Sequence, residues 1–222
     1  MMSRVRERIV LRRFLMVLAW IVCGTSPAVA ADLNCLVHPY VVITISSPVA
    51  GLLETVTVDR GDIVKEGQVL ATIDTSVERA HGAVAHAQAE LTNRRLAELE
   101  LQRTNAEVAM RTVRSPINGV VMERFLSPGE FPKQEKILKL AQIDPLRVEV
   151  YAPVSLLGKV AVGMEAQVKL EEPIGGLHKA KVTIVDRVVD AASGTFGIRL
   201  ELPNSDLRLP AGVKCTVKLP TK

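Results

Sequence analysis

The side chains from which chemistry could be built in this 222-residue sequence are few. His81 and His86 lie five positions apart, about 140° around a helix, whereas a helical metal chelate uses a spacing of four. Met110, Met122 and Met164 fall in separate segments, and a soft-metal site needs clustered thioethers or thiolates. Solvent-facing histidines are the simpler reading. The run Gly175-Gly176-Leu177-His178-Lys179 looks superficially like a phosphate loop, but it lacks the earlier glycine and the Ser or Thr after the lysine. It reads as a hairpin turn. With no nucleophile elbow, paired zinc motif or dinucleotide fingerprint, the sequence points to a noncatalytic protein with no cofactor and no metal.

The remaining reactive pair is Cys35 and Cys215. Its reading depends on the compartment. Arg4, Arg6, Arg8, Arg12 and Arg13 precede an apolar run from Phe14 to Cys23, and Ala28-Val29-Ala30 follows. A positive start, a short apolar stretch and an A-x-A pattern read as a secretory signal cleaved after Ala30, with an uncleaved anchor as the alternative. Periplasmic export is the expectation. Cleavage leaves Cys35 and Cys215, and an even pair in an oxidising compartment favours a disulfide over two small buried hydrophobes. Removing residues 1–30 also takes five of the 28 basic and one of the 24 acidic side chains, leaving 23 of each. That balance argues against a nucleic-acid partner.

These residues sit on a duplicated scaffold. A shift of 68 positions aligns Ser47 to Ile73 with Ser115 to Ala141 without a gap. Ser47/Ser115, Pro48/Pro116, Gly51/Gly119, Gly61/Gly129, Lys65/Lys133 and Leu70/Leu138 are identical, and Val49/Ile117, Leu52/Val120, Leu53/Val121, Val58/Leu126 and Ile63/Phe131 stay apolar. The Ser-Pro opening imposes an extended shape, and the glycines mark turns. Each half is a set of short strands with one uncovered apolar face, so the two halves should clasp as a small sandwich. The repeated apolar positions read as its core.

Between the halves, Thr75 to Thr112 turns helical in composition. Val77, Ala80, Val84, Ala87 and Leu91, and then Leu96, Leu99, Arg103, Ala106, Met110 and Val113, recur at spacings of three and four. This is the pattern of a helix–helix seam, with Arg103 as its one offender, a turn at Thr92-Asn93 and a cap at Asp74 or Thr75. Because the sandwich halves must meet, the helices must return as an antiparallel hairpin, each arm reaching about 24 Å.

After Ile143-Asp144-Pro145, alternating stripes follow one another: Leu146/Val148/Val150, Ala166/Val168/Leu170, Ala180/Val182/Ile184, Ile198/Leu200/Leu202 and Val213/Cys215/Val217/Leu219. Short strands between regular turns suggest a small β-barrel. The expected fold is mostly β with an α-helical hairpin. Its parts are the signal over 1–30, an N-terminal strand segment over 31–45, sandwich halves over 46–74 and 113–143, the hairpin over 75–112 and the barrel over 144–222.

The segments Ser47-Pro48-Val49-Ala50-Gly51, Gly61-Asp62-Ile63-Val64-Lys65-Glu66-Gly67-Gln68-Val69-Leu70 and Arg114-Ser115-Pro116-Ile117-Asn118-Gly119, in this order around the helices, resemble the HlyD-like periplasmic adaptor, or membrane fusion protein, family. Gly163-x-x-Ala166-x-Val168 and Asn204-x-Asp206-x-x-Leu209-Pro210-Ala211-Gly212 extend the resemblance into the barrel. It implies a barrel-sandwich hybrid (lipoyl-like) domain, a hairpin and a β-barrel. It also implies a homo-oligomer that links an inner-membrane transporter to an outer-membrane channel in efflux or secretion.

Three departures stand out. The family's membrane-proximal domain is expected to be missing or vestigial, and the hairpin is short. The family's tip pattern of Arg, Leu and Ser finds Arg95 and Leu99 but meets Ala106 at the serine position. Arg94, Arg95 and Leu99 are the candidate tip contacts. A free-standing periplasmic binding or assembly module is the competing class. A lipoyl or biotinyl carrier fits poorly, because its modified lysine would lie on the turn joining the halves. Here that place holds the helical insertion, while Lys65 and Lys133 lie inside the halves.

Overall fold

This computed structural model describes residues 31–89 and 94–220. The expected signal over 1–30 and the turn at Thr92-Asn93 lie outside them.

Two long antiparallel strands run through the whole β structure. β1 (Ala31–Ser46) and β7 (Lys136–Pro153) pair from Cys35 opposite Val150 to Ser46 opposite Lys136. At one end they join β8 (Glu165–Leu170), β9 (Leu177–Val185), β10 (Thr195–Leu202) and β11 (Lys214–Leu219). The order β1-β11-β8-β9-β10-β7 closes because β7 pairs again with β1. The segment 31–45 is therefore not separate from the barrel: its first part is a barrel stave and its second part a sandwich strand. Likewise β7 passes through Asp144-Pro145 without a break.

Alternation puts Val37, Val148, Val168, Val182, Leu200 and Val217 inside the barrel, all fully buried. Ile184, expected inside, is 43% exposed. The reason is a register shift: Val182 pairs with Leu200 but Ile184 with Arg199, so β9 spends an extra residue, Thr183, and its alternation flips. Val185 packs against the core instead.

The sandwich contains β2 (Leu53–Val56), β4 (Val69–Ile73) and β5 (Thr112–Arg114) in one sheet, facing β3 (Ile63–Val64), β6 (Gly119–Arg124) and the remaining parts of β7 and β1. The two copies clasp. Gly61 N–H donates to Val121 O and Val121 N–H to Asp62 O; 68 residues on, Gly129 N–H donates to Leu53 O and Leu53 N–H to Glu130 O, each at 2.8–2.9 Å. Every one of these bonds crosses from one half to the other. Gly119 explains the repeated glycine, since a Cβ there would lie 2.3 Å from the Ala141 carbonyl oxygen. The core holds Leu53/Val121 and Leu70/Leu138, with Val58 and Leu126 beside them. Ile63 and Phe131 are not part of it: they are 61% and 56% exposed.

The helices α1 (Ser76–Ala89) and α2 (Arg94–Met110) grow from the paired ends of β4 and β5. Asp74 opens α1 by accepting the Ser76 N–H at 2.8 Å and the Ser76 hydroxyl at 3.1 Å. These bonds, the backbone one foremost, hold its carboxyl below the usual range, with Arg111 and Arg79 adding to the effect. Arg111 Nη1 in turn donates to Asp74 O at 2.7 Å and ties the helix roots together.

The expected seam is corrected here. Gly82 faces Thr104, and the side chains of Val77, Ala80, Val84, Leu99, Arg103, Ala106 and Met110 are exposed. Val113 leaves the series altogether and packs in the sandwich core. Both helices leave the paired ends of β4 and β5 in a phase that turns Gly82 of α1 and Thr104 of α2 toward each other. The side chains of Ala87, Leu91 and Leu96 lie outside the described residues.

Candidate interaction surface

The corrected phase creates two outward apolar edges. At 100° per residue, Val77, Ala80 and Val84 lie about 140–160° around α1 from Gly82. Leu99, Ala106 and Met110 lie about 120–160° around α2 from Thr104. Each helix therefore turns its apolar stripe away from the other, and the hairpin presents one stripe on each outer edge. Arg103 sits beside the α2 stripe and is engaged by Glu107 at 3.0 Å.

A second exposed set comes from the duplication. Ile63 pairs with Val120 across the β3–β6 edge, and Phe131 and Leu52 hold the equivalent positions in the other copy. The same internal symmetry that builds the core thus repeats one apolar patch at two places on the surface. Apolar repetition in the sequence carried both sets, but burial could not be told from exposure without the register.

On the barrel wall, a groove of about 940 Å³ is lined by Leu36, His38, Glu149, Tyr151, Lys169 and Lys214. Glu149 is shared between His38, 3.8 Å away, and Arg199, 3.5 Å away. In the lining of the groove Cys35 and Cys215 face one another on β1 and β11, and the structure joins their sulfurs at 2.05 Å.

The other sequence-selected residues are dispersed. Arg94 and Arg95 begin α2, with Leu99 exposed one turn later. Lys65 and Lys133 are exposed at equivalent places, and His81 is exposed on α1, while the side chain of His86 lies outside the described residues. Gly175 and Gly176 take left-handed φ values of 58° and 86° at the end of the six-residue loop that joins the antiparallel pair β8 and β9. Among the described residues no group of three His, Cys, Asp or Glu side chains could hold a metal ion.

The modules match known ones in the same order. Residues 41–142 match the CzcB-like barrel-sandwich hybrid domain, and residues 146–222 match the CusB-like β-barrel domain. Both matches, in this order, are consistent with the HlyD-like periplasmic adaptor family. The chain is 21% identical to an uncharacterized protein of Haemophilus influenzae, over 84% of its own length and 57% of that protein's. It thus spans little more than half of that curated relative. Among solved structures, ZneB from Cupriavidus metallidurans is 24% identical with a TM-score of 0.56, covering 87% of this chain and 98% of ZneB. The membrane fusion protein Spr0693 from Streptococcus pneumoniae is 16% identical with a TM-score of 0.66, covering 86% and 99%. These likenesses are of fold.

Proposed function

We propose that the chain is a periplasmic adaptor subunit that links an inner-membrane transporter to an outer-membrane channel in efflux or secretion. It acts by protein contacts, without covalent chemistry. The observation that carries this reading is the hairpin with an apolar stripe on each outer edge, rooted in a sandwich that two unbroken strands join to a barrel. A layer with unlike surfaces on opposite edges suits head-to-tail contact between copies, which closes into a ring when the rotation allows. Side-by-side copies would cover Val77, Ala80 and Val84 of one hairpin with Leu99, Ala106 and Met110 of the next. The barrel end faces the transporter, and the tip residues Arg94, Arg95 and Leu99 meet a channel or a further subunit. Conformational change in the pump passes through these contacts.

The test is photo-crosslinking from position 95 in intact cells, followed by identification of the captured proteins. Capture of an outer-membrane channel or a sister adaptor supports the assignment. Captured species that include no pump component count against it and favour a free-standing module.

A further inference from the structure

The Asn204–Gly212 motif has no part in the contacts above, yet it reaches β7 at Ile143-Asp144, where barrel meets sandwich, and β1 at Val37, inside the barrel. Pairing between β1 and β7 is irregular at this level: the register shifts between Pro39 and Val41. Arg147 braces the shift from β7, donating to the Tyr40 carbonyl with its guanidinium 5.6 Å from the centre of the Tyr40 ring. On β7, Asn204 takes hold of the crossing itself. Its N–H donates to Asp144 Oδ1 at 2.9 Å, and its Nδ2 donates to Ile143 O and to Leu209 O, both at 2.9 Å. Its Oδ1 accepts the Leu209 N–H at 3.0 Å. The residue is 2% exposed, and both of its amide donors are used.

The far end of the same loop continues the β1–β11 ladder to Val37. Gly212 N–H donates to Val37 O at 2.7 Å, and Val37 N–H donates to Val213 O at 2.9 Å. Between these ends Leu209 and Ala211 pack on the barrel core, and Leu207 adopts a φ of 55° that a non-glycine residue rarely takes. β10 and β11 already flank β7 and β1, so what the loop adds beyond that pairing is the hold of the Asn204 side chain on the Ile143 carbonyl and on Leu209.

We infer that residues 203–213 form a buckle that fixes the angle between the barrel and the sandwich-hairpin body, with Asn204 as its positioning residue. The inference does not depend on the transporter role.

The experiment places spin labels, on unnatural side chains that spare the cysteine pair, at exposed Lys133 of the sandwich and exposed Val188 of the barrel. Distances between them are then measured in the full chain. Asn204→Ala removes the side-chain bonds, and the width of the distance distribution is expected to at least double. Asn204→Ser, a milder change, is expected to widen it less. Val182→Ala, a cavity in the barrel core away from the junction, is expected to lower the melting temperature with the width unchanged. This control separates a positioning role from general destabilisation. An unchanged width in folded Asn204→Ala overturns the inference. If that variant does not fold, an unchanged width in Asn204→Ser does so.

Discussion

Gly82 and Thr104 meet across the hairpin so closely that a Cβ on the glycine would lie 3.1 Å from the Thr104 methyl. The glycine costs α1 about 1 kcal/mol of helix propensity relative to alanine. The close approach it permits holds the helices in the phase that exposes their apolar edges. Gly82→Val is expected to cost about 1–3 kcal/mol through overpacking, and Thr104→Ala should recover part of that loss. A double-mutant cycle by chemical denaturation checks the coupling. Strictly additive effects would place these residues out of contact.

The outer edges make a contrasting prediction. Val84→Asp and Leu99→Asp alter exposed positions, so the stability of the monomer should change by less than about 0.5 kcal/mol. Leu200→Ala, in the barrel core, should cost about 2–5 kcal/mol. If hairpin edges join copies of the chain, the aspartate variants should also sediment as smaller species than the parent. Unchanged assembly in both aspartate variants would remove the edges from the interface.

The two kinds of repeated glycine should separate clearly. Gly119→Ala forces a methyl into the Ala141 carbonyl and is expected to cost about 3 kcal/mol. Gly61→Ala meets open space and suffers only the strain of a φ of 95°, about 1–2 kcal/mol. Equal melting temperatures for the two variants would contradict the close approach at Gly119.

Mass spectrometry of the exported protein before and after reduction should differ by about two protons if Cys35 and Cys215 are joined. The pair spans 180 residues of sequence. Cys215→Ser should therefore lower stability by about 2–5 kcal/mol in an oxidising buffer and by much less in a reducing one. An unchanged mass would mean free thiols.

Asp74 gives the hairpin root an acid limit. Its carboxyl is held below the usual range, so the stability it contributes is complete above that range and is lost as pH falls through the lowered native value. Asp74→Asn should melt below the parent at pH 7, and the gap should narrow as the pH falls through and below the usual carboxylate range. A gap that persists unchanged in acid would exclude the charge as its source.

What was legible in the sequence divides along one physical line. The duplicated Ser-Pro and glycine turns at Ser47 and Ser115 announced two copies because turn chemistry is local, and the clasp followed from the need to cover an apolar face. Ile184 misled because a bulge is one residue long and reverses every side chain beyond it. The hairpin stripes had the spacing of a seam, but the helices leave β4 and β5 in a phase that turns Gly82 and Thr104 toward each other, which no periodicity within the helices reveals. Ile63 and Phe131 looked like core for a related reason: repetition shows that a position matters, not which side of the sheet it occupies. The place of residues 31–36 in the barrel rests on pairing with β11, far along the sequence.

The unbroken β1–β7 ribbon also has a mechanical meaning. Tension applied to the chain ahead of Ala31 would be directed along β1, with its hydrogen bonds to β11 and β7 on either flank. Bonds arranged in this way are strained together in shear and do not peel apart singly. The strand would carry such a pull past the barrel and into the sandwich, as a tie rod transmits load through two joined frames.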